Sequence, residues 1–425
     1  MSLSARPRTT VGCALLVIAL CAGVTACGAD GDPLSARPYD ADPEVSFNAP
    51  AETGETGEKA DPDKPLEVTA EDSDGRLTDV TAVDTSGRYV AGELSADGSR
   101  WHSTAPLAAD TRYTVRVSTE DDDGAPGRKV LTFHTGRPAG KARQNVDVLF
   151  TPKSGLYGVG QPVVAQLSVP VKDKGQRAVV ERALKVDSTP RVDGSWFWVN
   201  DKELHYRPKD YWPAHATVQV HSNLAGMRIS DRLWGGKAAP LKLTTGDRVV
   251  AVADSAAHQL TVYKNDRPIN QIPVTTGRPG FDTRNGIKVI LEKQRMVRMR
   301  GTTIGIQEGT SDSYDLPVYY ASRITWSGEY VHAAPWSVGS QGSENVSHGC
   351  IGMSTSNAEW FFNTVHEGDV VQVVNSDGHQ MEPFGNGFGD WNVTWDKWRD
   401  GSALQDGAPE SPRPEDTARL RPTPV

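Results

Sequence analysis

Short runs that alternate apolar and polar residues, each closed by a turn pair, recur from about Leu66 to about Val374. A period of two sends successive side chains to opposite faces, so each run is a strand with one face to bury, and many such runs fold as packed sheets. The first block holds Leu66-Glu67-Val68, Tyr89-Val90-Ala91, Tyr113-Thr114-Val115-Arg116-Val117 and Val130-Leu131-Thr132-Phe133, punctuated by Asp74-Gly75, Ser86-Gly87 and Asp97-Gly98. Strands at that spacing suggest a small all-β sandwich over 64–140. A second block, 141–246, repeats the texture with Val163–Leu167, Ser195–Val199 and Thr217–Val220. The 41 Gly and 28 Pro agree with many turns. His102, His134, His205, His215 and His221 are scattered through both blocks without an H-E-x-x-H pattern, which argues against a zinc peptidase.

A third block, 247–375, opens with Arg248–Val252 and Gln259–Tyr263 and continues in strands through about Val374. Within it, Ser356-x-x-Glu359 reads as a capping box opening a helix over 357–366, with Gly368 suiting its stop. Residues 376–402 form a small C-terminal piece, where Trp391, Trp395 and Trp398 fall at helical i, i+4, i+7 spacing. One short helix packed by its indoles is the favoured expectation, and an aromatic platform for sugar is the other. Past 403 the chain turns Pro- and Arg-rich and reads as a disordered tail to residue 425.

The charge balance of 45 Lys+Arg against 54 Asp+Glu, a net −9 with no basic run, excludes nucleic acid as the main partner. One sustained apolar stretch, about Val11 to Val24 behind Arg6 and Arg8, excludes a multi-span membrane protein and reads as a secretory signal over 1–26. It ends in Val24-Thr25-Ala26-Cys27-Gly28, which resembles the lipobox of bacterial lipoproteins; a plain signal with a chance cysteine is the alternative. In a lipoprotein Cys27 would carry the lipid, and acyl chains at about 0.8 kcal/mol per buried CH₂ would hold the protein on the membrane. Residues 27–63, rich in Asp, Glu, Gly, Pro and Ala, read as a disordered tether with a reach of ~30 Å.

This reading also changes the cysteine arithmetic. Of 4 Cys, Cys13 and Cys21 would leave with the signal and Cys27 would be lipidated, so Cys350 is the one free thiol. An unpaired thiol outside the cytoplasm is open to oxidation, so it needs a purpose. Its neighbours are Val331-His332-Ala333-Ala334-Pro335-Trp336 and Ser347-His348-Gly349-Cys350-Ile351-Gly352. A thiol of ordinary pKa is only about 3% thiolate at pH 7, so a catalytic cysteine needs an imidazole, and both His332 and His348 are candidates. A glycine beside the nucleophile lets N–H groups approach an oxyanion. By spacing alone a Cys/His nucleophile, a buried inert thiol and a partial metal site all remain open. The metal reading lacks an evident fourth ligand.

His332 followed by Ser-His-Gly-Cys resembles the H-x₁₄–₁₇-[ST]-H-G-C signature of the L,D-transpeptidase (YkuD-type) family. Residues 331–339 and Gly389-Asp390-Trp391-Asn392 are similar to its actinobacterial lipoprotein members, which carry two immunoglobulin-like domains before the catalytic domain. The resemblance implies a mainly β chain: two immunoglobulin-like sandwiches, then a β-rich catalytic domain with one main helix and a small C-terminal helical extension. It implies Cys350 as nucleophile, His332 as its base and the carbonyl of Ala333 as the orienting third partner. The N–H groups of His348, Gly349 and Cys350 would form the oxyanion hole, assisted by the Tyr314 hydroxyl. Ser327, Gly328, Trp336 and Ser347 would line the substrate cleft, with Met299 and Tyr314 in a mobile lid over about 296–322; ordinary packing is the alternative for Met299 and Trp336.

The implied reaction takes a donor tetrapeptide stem of peptidoglycan, releases D-Ala through a thioester and passes the acyl group to an acceptor stem, giving a 3→3 cross-link. No metal, other cofactor or nucleotide is implied. The implied place is the outer face of the cytoplasmic membrane, reaching into the cell wall. An L,D-carboxypeptidase shares the nucleophile, and a silent wall-binding lipoprotein is the non-enzymatic rival. Many members have Asn two residues after the cysteine, where this chain has Gly352; an amide that could hold the donor is absent.

Overall fold

The computed structural model of the chain describes residues 39–41, 44–52, 58–71, 75–137 and 143–404. The expected signal, Cys27 and the tail from residue 405 lie outside the described residues. Six sheets pair along the chain with few helices between them, a mainly β architecture.

In the first pair, Tyr39–Asp40, Pro126–His134, Arg112–Asp121 and Gly75–Asp84 form one sheet, and Val45–Phe47, Glu67–Ala70, Arg100–Ser103 and Gly92–Leu94 form the other. Val68 and Trp101 from one and Val115 and Phe133 from the other share a core. One expectation is corrected here. Residues of the supposed tether supply a strand to each sheet and bury Ala41 and Val45, because a few apolar residues suffice when an existing sheet edge accepts their backbone. The ten-residue strand Gly75–Asp84 was not legible, since a register shift between Leu77 and Asp79 moves the inward face from odd to even positions.

The second pair is a four-stranded sheet (Gly155–Tyr157, Leu241–Thr245, Thr217–Ser222, Leu184–Thr189) on a five-stranded one (Gly194–Trp198, Glu203–Pro208, Val163–Leu167, Gln144–Thr151, Leu233–Ala238). It adds an unforeseen helix, Lys174–Ala183, whose Asp173 cap accepts the Gln176 N–H at 2.9 Å. Val180 and Ala183, with Val179 partly buried beside them, carry its apolar face into the core, too narrow a stripe for periodicity to reveal.

The third pair carries His332 and Cys350. Arg267–Pro273, Gln259–Lys264, Val249–Asp254, Val370–Val374 and Gly286–Val289 make one sheet; Glu292–Arg300, Asp315–Arg323, Tyr330–Ala333 and Ile351–Met353 make the other. The helix here runs Thr355–Thr364, two residues earlier than expected. Ser354 rather than Ser356 caps it, accepting the Asn357 N–H at 3.2 Å, because Ser354 has the extended ψ of 155° that an N-cap needs. The helix stops at Val365, while Gly368 turns at φ +89° against the second sandwich.

That junction is close backbone on backbone. The Gly158 N–H donates to Glu367 O at 2.8 Å and the Gly160 N–H to Gly368 O at 2.9 Å. A Cβ on Gly158 would sit 2.1 Å from the Asp369 nitrogen, so only glycine permits the approach. The C-terminal piece then straps the two units together. It is not one helix: Asp390–Asn392 is a 3₁₀ turn and Trp395–Asp400 a separate helix. All three indoles converge on the buried Arg207 guanidinium, whose centre lies 4.8, 5.5 and 4.4 Å from the rings of Trp391, Trp395 and Trp398. Packing is therefore their structural role. Asn392 exchanges hydrogen bonds with Ile287 of the third pair at 2.8 Å, and the indole of Trp398 donates to Ser195 O at 2.9 Å. Ala403, placed in the tail by sequence, donates its N–H to Glu181 at 2.8 Å.

Beside this strap, His205 of the second sandwich lies 2.6 Å from Asp390 and 2.9 Å from Glu203. Burial opposes a charge on its ring, but the two carboxylates outweigh that and push it up to about 9. A raised pKa stabilises the fold fully below the unfolded value and loses that contribution as pH rises through the folded one. The thermal midpoint should therefore fall between about pH 6.5 and 9, and His205→Gln should flatten that slope; a slope unchanged by the substitution would contradict the assignment.

Candidate active site

Tyr330–Ala333 and Ile351–Met353 pair in parallel, Val331 with Ile351 and His332 with Gly352. This pairing places Cys350, one residue before its strand, beside the start of the strand that carries His332. The Cys350 thiol donates to Gly328 O at 3.6 Å, and the backbone of Tyr330 hydrogen-bonds the sulfur in the sense that favours thiolate.

The turn into Cys350 is tied from within. The Ser347 hydroxyl donates to Cys350 O at 2.7 Å and accepts the Gly349 N–H at 3.1 Å. Gly349 sits at φ +116°; a Cβ there would clear its nearest neighbour by 3.5 Å, so the dihedral rather than space demands glycine. Its carbonyl accepts the Thr283 hydroxyl at 2.9 Å, and Thr283 Oγ1 accepts the Gly277 N–H at the same distance. One expectation changes: the Gly349 N–H is engaged inside the turn, leaving His348 and Cys350 as the expected oxyanion donors.

The two histidines differ in their free nitrogen. His332 Nδ1 lies 2.8 Å from Ala333 O, and since a carbonyl only accepts, Nδ1 carries the hydrogen and Nε2 keeps its lone pair. His348 Nε2 lies 3.0 Å from Arg278 Nη2, which only donates, so that nitrogen is already occupied as an acceptor. Burial pushes His332 down to about 4 and the Cys350 thiol up to about 12. Cys350 is half-buried, with protein packed around the sulfur. Thiol and imidazole are both neutral here. Burial and the Arg278 charge also lower His348, in keeping with its neutral form.

Around them, the Trp336 ring stands 6.1 Å from His332 and is 59% exposed, so it is not core packing. Gly328 turns at φ +107° and Ser327 is exposed, its hydroxyl accepting from Asn386 at 3.0 Å. Tyr314 tilts over His348 at 5.1 Å between centroids, and burial holds its hydroxyl protonated, at about 12. Met299 is half-buried on Glu292–Arg300, opposite Leu316. The segment 301–314 links these strands, and its Asp312 ion-pairs with Arg278. Sequence reasoning missed Arg278, Thr283, Lys288 and Glu329. Only Lys288, a charge inside Ile287-Lys288-Val289-Ile290, left a readable signal.

Residues 248–373 match the L,D-transpeptidase catalytic domain (YkuD) family, and residues 57–228 match the bacterial Ig domain family. L,D-transpeptidase 2 of Mycobacterium tuberculosis is 36% identical over 399 residues, 92% of this chain and 94% of that one. L,D-transpeptidase 5 of the same organism is 33% identical over 345 residues, 79% of this chain and 73% of that one. The crystal structure of M. tuberculosis L,D-transpeptidase 3 in complex with a faropenem-derived adduct is 35% identical, spanning 54% of this chain and 97% of that chain at a TM-score of 0.45. The chain belongs to the L,D-transpeptidase family of enzymes, with bacterial Ig-like sandwiches ahead of the catalytic domain.

Gly352, where many members have Asn, is confined. A Cβ there would lie 3.0 Å from Ala334 Cβ and 3.1 Å from Thr275 Cγ2, while the backbones of 275 and 352 exchange hydrogen bonds. Gly352→Asn should cost roughly 1–3 kcal/mol through overpacking, seen as a lowered Tm. An unchanged Tm would mean these neighbours yield freely.

Proposed function

We propose that the protein is a peptidoglycan L,D-transpeptidase that joins stem peptides by 3→3 cross-links through a thioester on Cys350. The observation that carries this reading is the His332 tautomer: Nδ1–H held by Ala333 O at 2.8 Å leaves Nε2 free as a base, on a strand paired with the one that follows Cys350, the only cysteine of the described residues. With the thiol and the imidazole both neutral, the proton leaves sulfur for His332 as the sulfur attacks, so no standing ion pair is needed. Attack on the amide after the diaminopimelate L-centre of a donor tetrapeptide gives an oxyanion, received by the N–H groups of His348 and Cys350 with the Tyr314 hydroxyl. The imidazolium returns its proton to the leaving D-Ala amine. The acceptor stem's side-chain amine then attacks the thioester, loses a proton to His332 and releases the thiol. Ser327, Gly328, Trp336 and Met299 line the donor's path, and Ser347 holds the turn. A lipid on Cys27 would keep the enzyme at the outer membrane face; support for that is the apolar run ending in Val24-Thr25-Ala26-Cys27.

Intact mass after incubation with a carbapenem should show one adduct, absent in Cys350→Ala. His332→Ala should slow acylation by roughly 10²–10⁴-fold. Because the base stays neutral down to about 4, the wild-type acylation rate should be flat between about pH 5 and 9. A rate rising through about pH 8.5 would instead mark an ordinary thiol. Purified muropeptides supply the last discrimination: a cross-linked dimer is expected, and a tripeptide alone would make the enzyme an L,D-carboxypeptidase.

A further inference from the structure

Directly behind the nucleophile lies a buried charge pair that the mechanism above does not use. Lys288, on the strand Gly286–Val289, is 0% exposed, and its ammonium donates to Glu329 Oε2 at 2.8 Å. The other Glu329 oxygen accepts the Arg284 N–H at 3.0 Å and the Arg284 guanidinium at 3.3 Å. Taking such charges out of water is costly, and two apolar residues would fill the same space more cheaply. Burial draws the Lys288 ammonium below the usual lysine value, with Glu329 opposing the fall.

Its position is informative. Glu329 lies between Gly328, whose carbonyl accepts the Cys350 thiol at 3.6 Å, and Tyr330, whose backbone hydrogen-bonds the sulfur. Its Cγ is 3.9 Å from where a Cβ on Gly349 would be, so the side chain packs under the turn that presents the nucleophile. The Glu329 N–H is held by Thr325 Oγ1 at 2.9 Å, which fixes it in place. The ionisable groups around the sulfur are Glu329 with its partners Lys288 and Arg284, Tyr330 and His332 from the paired strand and Tyr314 from the 301–314 side. His348 lies beyond, with Arg278 and Asp312.

We propose that the Lys288–Glu329 pair is a positioning device that sets the proton affinity of the Cys350 nucleophile: Glu329 holds the sulfur as a thiol at rest, and Lys288 moderates that hold so the proton can still pass to His332. After burial itself, the Glu329 charge raises the thiol and the Lys288 charge lowers it, in agreement with this assignment. The resting thiol is useful outside the cytoplasm because the thiolate is the form that electrophiles and oxidants attack. The inference rests on Cys350 being the nucleophile of the proposed function.

The test is the pH dependence of iodoacetamide alkylation of Cys350, followed by intact mass on the whole protein. Glu329→Gln should move the alkylation midpoint to lower pH and speed alkylation at pH 7 by about tenfold, one pKa unit. A double variant, Lys288→Met with Glu329→Gln, removes both charges and leaves Arg284 paired with Glu382 at 3.5 Å. It should shift the midpoint in the same direction but less far, and it keeps the test open if the single variant misfolds. A profile that superimposes on wild type in a variant with native near-UV circular dichroism would overturn the inference, as would a shift to higher pH. Alkylation reads the thiol rather than turnover. If wild type took no carbapenem while the midpoint still shifted, the proposed activity would fail and the charge control would stand.

Discussion

One parallel strand pairing governs the chemistry of this chain. His332 and Cys350 are eighteen residues apart, and they become neighbours because Tyr330–Ala333 lies alongside Ile351–Met353 with Val331 opposite Ile351. A slip of one residue would turn the side chains of one strand to the other face and separate His332 from Cys350, the proposed base and nucleophile. The register is secured on both sides. Val331, Ala333, Ile351 and Met353 are buried in the catalytic core, and the bridge between Thr275 and Gly352 pins the second strand from the other sheet. Gly352 fits that arrangement without displacing Ala334 or Thr275, which a Cβ there would approach to 3.0 and 3.1 Å.

The same confinement decides the electrostatics. Protein crowded around the sulfur makes a thiolate expensive, and protein around the imidazole makes its cation expensive, so the resting site is uncharged. In the proposed reaction such a pair takes on charge only when a substrate is bound, where preorganised donors can offset it. The other histidine cannot substitute, since its Nε2 already accepts from Arg278. Farther out, Arg207 under its three tryptophans and His205 between Glu203 and Asp390 fasten the second sandwich to the catalytic unit through the C-terminal strap.

Much of this architecture is legible in the amino-acid sequence. Period-two runs such as Val163–Leu167 and Gln259–Tyr263 lie where strands lie, since alternation directly records a half-buried face. The lone Cys350 with His332 and His348 marks the chemistry, because few residue types can do acyl transfer. What escapes depends on the fold. The bulge in Gly75–Asp84 breaks the alternation, and the strands before residue 48 exist only because sheet edges receive them. Spacing cannot choose between the histidines, because the choice turns on hydrogen bonds to Ala333 and Arg278. The Trp391, Trp395 and Trp398 periodicity suggests one helix, where the observed target is a guanidinium from another domain.

The proposed chemistry turns on His332 resting as a neutral base with its hydrogen on Nδ1. Nitrogen-15 NMR of the imidazole in the reduced, unliganded protein tests this directly. A protonated Nδ1 and a lone pair on Nε2 are expected at neutral pH, unchanged down to about pH 5. A doubly protonated ring at neutral pH, or the hydrogen on Nε2, would contradict it.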